Sequence, residues 1–363
     1  MTILPGETAA VPCAMGVGPG AVRDAPGTRS GRIGRTVALL AVVPWVAPTA
    51  QGSPSGKECQ EASRVSMACT WSVKLCGADA AALRAVASEA LDEVDRIDRL
   101  MSHYRPDSPL SRVNQRAASG PVSVERELFD FVAECLRYGH DSEGAFDVTV
   151  GPLMKAWGLF DGDGRVPAER ELAEALAVVG ARHVVLDREA GTIRFDRPGV
   201  SLDLGGIAKG YAVDRVVDLL RRRLVAAALI NAGGSSIYAL GSPPDGPAWD
   251  VRIQDPVRRE RVALTVSLRD RALSVAGARG RGFEEDGVFY GHIMDPRRGC
   301  PARGVLSVAV SSDTATEGDA LADALFVQGL EWTRAYVRGH PSTEALFFQP
   351  GPGRTWTLVR VEP

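Results

Sequence analysis

Apolar positions recur at helical spacing over residues 79–101, where Leu83, Val86, Ala90, Val94, Ile97 and Met101 share one face. A second such stretch near 125–139 carries Leu128, Phe131, Val132, Cys135 and Leu136. From His183 onward the pattern shortens into β-rich runs: HVVLD, TIRFD, VSLDL, AALINAG, SIYALG, WDVRIQ, VALTVSL and LSVAVSS. Helices are expected again at about 208–223, 318–328 and 331–338. The short turn in HVVLDREAGTIRFD makes that pair a hairpin. Strand and helix clusters do not alternate regularly, so the expected class is α+β, not a doubly wound sheet. Residues 51–62 read as a polar linker, and 63–363 as a single domain of mixed sheets and helices with no internal repeat.

The N-terminal 50 residues follow a different logic. Residues 1–35 are rich in Gly, Pro and Arg and are expected to be disordered. The apolar stretch TVALLAVVPWVAPTA (36–50) follows the basic RSGRIGR and ends in small residues, the layout of a secretory signal peptide. It is too short and too Pro-broken for a transmembrane helix. The competing reading is a disordered tail with a chance apolar run. Export to the periplasm or cell envelope is the expectation.

Composition narrows the functional classes. Lys plus Arg number 42 and Asp plus Glu 45, a formal charge of −3, so no basic field points to nucleic acid. Lysine is rare, with only Lys57, Lys74, Lys155 and Lys209, which makes each retained lysine informative. The cysteines Cys13, Cys59, Cys69, Cys76, Cys135 and Cys300 form no CxxC pair and no zinc-type cluster. They read as buried free thiols, with a bridge among Cys59, Cys69 and Cys76 as the alternative that their closeness in sequence allows.

Five segments could carry chemistry. In SLDLGGIAKGYAVDRV (201–216) a strand ends at Asp203 and Leu204, two glycines turn, and a helix begins near Ile207. Such a turn lets backbone approach a ligand, the helix N-terminus favours an anion, and Lys209 could meet a phosphate. The bland alternative is an ordinary turn with a solvated lysine. In TEGDALADALF (316–326) Asp319 and Asp323 share one helix face among apolar flanks, and their oxygens suit Mg²⁺ or Ca²⁺. A solvated acidic pair near a helix start is the alternative. YGHIMDPRRG (290–299) displays His292 after a strand, as a general base or as a structural histidine. SEGAFDVTVGPL (142–153) puts Ala145, Phe146 and Asp147 where a helix gives way to an extended run. MSHYRPDSPLSRVN (101–114) reads as a helix end and polar loop, with Tyr104 able to stack on a ring or anchor a turn.

The order and spacing of these segments, together with LINAGGSSIYALG, resemble the FAD:protein FMN transferase family, also called ApbE, over roughly residues 65–350. The resemblance implies a single α+β catalytic domain with FAD in a cleft between two lobes. It implies Mg²⁺-dependent transfer of FMN from FAD to a threonine of an acceptor protein, with AMP released. By the same resemblance Met67, Tyr104, Ala145, Phe146, Asp147, Asp203, Lys209 and Ile293 contact FAD. His292 takes the threonine proton, Asp203 and Lys209 hold adenosine or pyrophosphate, and Gly206, Asp319 and Asp323 hold the metal. The acceptor is expected to be an extracytoplasmic redox protein, which would bring the enzyme near a membrane.

The chain departs from the family pattern at four places. Ala68 and Cys69 stand where Gly-Thr is usual, Val275 and Ala276 where Thr-Ser precedes Gly277, Arg298 where a turn threonine is usual, and Asp323 where threonine is usual. Two alternatives share the site. Water in place of threonine would hydrolyse FAD to FMN and AMP, and the missing hydroxyls fit an FAD-binding protein that has lost catalysis.

Overall fold

The computed structural model describes residues 58–160 and 164–363, so the signal-peptide reading of the first 50 residues lies outside the described residues. The described chain opens on a hairpin of β1 (Glu58–Ser66) and β2 (Cys69–Gly77). This corrects the linker: Glu58 to Ala62 pair with Gly77 to Val73. Charged and polar residues on the open edge of β1 mask its strand character, as edge strands often do. In β2, Trp71, Val73 and Leu75 alternate into the core.

Next comes α1 (Ala80–Met101), started by Asp79, whose carboxylate accepts the amides of Ala81 and Ala82. It buries the face that the spacing predicts. Then follow α2 (Pro109–Arg116), β3 (Val122–Ser123), α3 (Arg126–Asp141), α4 (Gly151–Ala156) and α5 (Glu169–Leu176). Two loop readings are corrected here. Residues 109–116 form a helix because Ser108 caps it through the Ser111 amide and Pro109 sits at its first position. The segment after Phe146 turns into α4 and does not run extended. The predicted hairpin is β4 (Val184–Asp187) with β5 (Thr192–Phe195), which also pairs with β3.

The second half contains α6 (Ala208–Arg222), β6 (Ala227–Ala232), β7 (Ser236–Leu240), β8 (Trp249–Gln254), β9 (Val262–Leu268) and β10 (Arg271–Gly277). It continues with β11 (Gly282–Glu285), β12 (Val288–Gly291), β13 (Met294–Asp295), β14 (Cys300–Pro301), β15 (Ser307–Ser312), α7 (Ala315–Gln328), α8 (Leu330–Arg338), β16 (Glu344–Pro350) and β17 (Trp356–Val361). VSLDL forms no strand. The Asn114 side chain donates to the Leu202 carbonyl and accepts its amide, and the Asp203 amide donates to Val148, so these groups are satisfied outside any sheet.

Eight strands form one antiparallel sheet in the order β1-β2-β6-β7-β10-β15-β16-β17. One face, with Trp71, Ile230 and Ala272, packs on α1 and α6. On the other, Ile237, Leu273 and Phe348 meet Trp249, Val251 and Ile253 of the separate β8–β9 hairpin. A smaller apolar cluster joins Leu153 and Trp157 to Met294 and Cys300. The mixed α/β single domain agrees with the class read from the pattern. Among the described residues no helix is long and apolar enough to cross a membrane.

The cysteine reading is corrected as well. Cys59 and Cys76, directly opposite in the β1–β2 hairpin, are disulfide-bonded, and so is Cys300. Cys69 and Cys135 remain free thiols.

The turn between β1 and β2 is two residues long, with Met67 at φ 49° and Ala68 at φ 58°. That is the left-handed hairpin geometry which glycine fills without penalty and alanine does not. Ala68→Gly is therefore expected to raise the thermal midpoint by about 1–3 °C, the strain relief exceeding glycine's extra unfolded-state entropy. Calorimetric melting checks this, and a lowered midpoint would show that the turn carries no strain.

Candidate active site

The site is built around α7. Its N-terminus is capped twice: Thr314 accepts the Glu317 amide, and Asp214 of α6 accepts the amides of Ala315 and Thr316 at 2.8 Å. The two helices approach so closely that a Cβ at Gly210 would stand 2.2 Å from the Ala315 carbonyl oxygen. Only glycine fits there. This contact brings Asp319 against the first turn of α6. Its Oδ2 accepts the Gly210 amide at 2.7 Å, and its Oδ1 accepts the hydroxyls of Ser236 (2.7 Å) and Ser274 (2.8 Å). One carboxylate thus ties α6, β7, β10 and α7 together.

Asp323 lies one turn further on the same helix face and accepts no hydrogen bond from any described residue. Its Oδ2 would be 2.7 Å from a Cβ at Gly206, so this glycine turn is shaped around the carboxylate. Burial pushes both carboxyls up, Asp319 to about 6 and Asp323 to about 7. Repulsion from Asp319 adds to the rise at Asp323, and the Lys209 charge opposes both. Lys209 itself donates to Ser235 Oγ at 2.6 Å. No group of three or more His, Cys, Asp or Glu side chains placed for a metal occurs among the described residues. The site offers two carboxylates and the glycine turn.

On the facing wall, Asp203 is buried, and its Oδ1 accepts the Gly205 amide at 2.8 Å, which shapes the turn into α6. Asp147 Oδ1 accepts both the amide and the hydroxyl of Thr149, so that oxygen is engaged in a turn. Burial raises this carboxyl, with Thr149 opposing. Ala145 and Phe146 are buried beside it.

His292 follows β12 and is half-buried, its ring anchored to the backbone of Arg281, with Nδ1 3.2 Å from the carbonyl oxygen and 3.3 Å from the amide. Burial drives its pKa down to about 4, and the Lys209 and Arg281 charges add to the fall. At neutral pH the imidazole is therefore uncharged. In the tautomer whose Nδ1–H donates to the Arg281 carbonyl, and not in the one whose Nδ1 accepts the Arg281 amide, the Nε2 lone pair is left to take a proton.

All twelve residues singled out from the sequence line one cleft of about 2390 Å³: Met67, Tyr104, Ala145, Phe146, Asp147, Asp203, Gly206, Lys209, His292, Ile293, Asp319 and Asp323. Ile293 is buried in its wall, and Tyr104 is largely exposed. Three further polar residues belong to the site without being singled out by the sequence pattern. Ser236 and Ser274 hold Asp319, and His103, next to Tyr104, has Nδ1 3.3 Å from Asp203 Oδ1. Nothing in their local sequence distinguishes the serines, because their partner lies 83 and 45 residues away.

Comparison with known proteins gives a consistent result. The sequence profile of the ApbE family matches residues 67–347. An FAD:protein FMN transferase of Treponema pallidum is 36% identical over 286 residues, 75% of this chain and 79% of the relative. One from Vibrio cholerae is 38% identical over 259 residues, 70% and 75% of the two chains. Among solved structures, the flavin transferase ApbE of Vibrio cholerae superposes with a TM-score of 0.73 at 31% identity, covering 84% of this chain and 97% of that one. The ApbE protein of Thermotoga maritima gives 0.75 at 30% identity over the same shares. By the extent and identity of these matches, this chain belongs to the ApbE family.

Proposed function

We propose that this protein transfers FMN from FAD to a threonine hydroxyl of an acceptor protein and releases AMP. The observation that carries the reading is one cleft holding a neutral imidazole, a lysine, a buried carboxylate (Asp319) and a half-buried one (Asp323), in a chain whose relatives are named for this reaction. The threonine oxygen attacks the FMN-side phosphorus, the bridging P–O bond breaks, and AMP departs with the bridging oxygen. His292 accepts the hydroxyl proton through Nε2. Lys209, held by Ser235, meets the pyrophosphate charge. In phosphoryl-type transfer this positioning and charge neutralisation supply most of the rate.

Mg²⁺ fits the donor set: two carboxylates of raised proton affinity, one of them without hydrogen bonds from the described residues, beside a glycine turn. Asp319, Asp323 and the Gly206 backbone would hold it. When bound it would offset charge on the phosphorus oxygens and leaving group.

We place the protein outside the cytoplasm, with an extracytoplasmic redox protein as acceptor, close to the membrane where such proteins work. The basic-then-apolar segment 29–50 and the Cys59–Cys76 disulfide both support an oxidising compartment. N-terminal sequencing from the native host tests it, and a cytoplasmic chain retaining residues 36–50 would sink it.

Incubating the pure protein with FAD and Mg²⁺, with and without a threonine-bearing acceptor, tests the reaction. AMP should appear only with acceptor. AMP without acceptor would mean hydrolysis, and none in either case would mean binding alone. In the same assay His292→Ala should slow transfer by about 10²–10⁴-fold while leaving FAD affinity nearly unchanged. Wild-type turnover in that variant would make His292 structural.

The raised carboxyls also set a pH dependence. Between about pH 4 and 7 the folded state holds more protons than the unfolded chain, so metal-free stability falls as pH rises through the two folded pKa values. Asp323→Asn should therefore melt above wild type at pH 8 in chelator, with the advantage shrinking toward pH 5. An advantage independent of pH would contradict a half-buried carboxyl that ionises in this range.

A further inference from the structure

Where α1 ends at Met101, the next turn delivers His103 to the cleft wall. Its Nδ1 stands 3.3 Å from Asp203 Oδ1, the same oxygen that accepts the Gly205 amide at 2.8 Å. Both protein contacts of this carboxylate thus go to Oδ1, and Oδ2 has none among the described residues. The imidazole is fixed by ring packing, with centroids 3.9 Å from Tyr104 and 4.6 Å from Phe160. Its Nε2 is sealed from solvent without a hydrogen-bond partner.

That last feature is informative. A buried polar atom left unpaired costs free energy, whereas an apolar side chain would fill the space between two aromatic rings without that cost. The polar ring therefore destabilises its surroundings unless Nδ1 does something useful. What Nδ1 reaches is the Asp203 carboxylate, at the entrance to the glycine turn and within the field felt by His292 and Asp323.

We propose that His103 is a positioning residue that clamps Asp203 through Oδ1, so that Oδ2 is presented to an N–H or O–H donor of the bound dinucleotide. The role rests on FAD being the substrate. A carboxylate held by one oxygen loses less freedom when a ligand engages the other, so the clamp lowers the entropic cost of binding and does not alter the chemical step.

The test separates the two ring nitrogens. His103→Asn keeps a donor near the Nδ1 position, His103→Gln keeps one near Nε2, and His103→Leu keeps neither. FAD affinity is read from flavin fluorescence and turnover from AMP release at saturating FAD. Leu and Gln should raise the FAD Kd about tenfold, while Asn stays within about threefold of wild type. Turnover at saturating FAD should change little in all three, and in an Asp203→Ala background His103→Leu should add nothing further. Equal Kd in every variant, or rescue by Gln and not Asn, would overturn the proposal. A thermal-unfolding cycle over His103→Leu and Asp203→Ala, run without FAD, should be non-additive, and additivity would also overturn it. If wild type binds no FAD, the transferase reading fails by itself and this cycle still decides the pairing.

Discussion

The burial of Asp319 is the constraint on which the site depends. A carboxylate removed from water must be compensated, and here three donors from three different elements converge on it: the Gly210 amide of α6, Ser236 of β7 and Ser274 of β10. The convergence is possible because Gly210 lets α6 lie against α7 and because the sheet places β7 beside β10. Once Asp319 is fixed, helical spacing fixes Asp323 as well. The same arrangement points Lys209, on the next residue position of α6, toward the pair. Two carboxyls of raised proton affinity with one lysine nearby form an unbalanced interior, and that imbalance is the ground on which we propose a cation there.

Much of this was legible in the chain, for reasons that differ by element. The faces of α1 and α3 and the β4–β5 hairpin follow from local periodicity. The β1–β2 hairpin was not read, although Trp71, Val73 and Leu75 alternate clearly, because its partner strand is polar and follows a linker-like stretch. VSLDL has the apolar pattern of a strand, yet its polar groups are taken by Asn114 and Val148, which only tertiary contact could reveal. Closeness in sequence allows a bridge among Cys59, Cys69 and Cys76, but only the hairpin register selects Cys59 with Cys76.

The site shows the same division. The spacing of Asp319 and Asp323 and the place of His292 after a strand only make them candidates, and it is the order of the segments together that assigns them to a site. The serines that compensate Asp319 and the histidine against Asp203 carry no local signature. The family departures also take on physical meaning. Ala68 occupies a left-handed turn position. Cys69 packs against Gly233, where an added Cβ would meet it at 2.7 Å. Val275 and Ala276 line the cleft in β10 next to Ser274, which keeps its hydroxyl on Asp319.

Asp323 is the departure with the largest electrostatic consequence, since it adds an ionisable carboxyl where the resemblance leads one to expect a neutral oxygen. Two carboxylates should hold a divalent cation more tightly than one carboxylate and one hydroxyl. Calorimetric titration of Mg²⁺ into the wild-type protein and into Asp323→Thr tests that claim most directly. The account predicts affinity weaker by about tenfold or more in the variant, from the loss of one charge in a partly desolvated site. Equal affinity in the two proteins would contradict it, and would mean that the carboxylate pair is not where the metal is held.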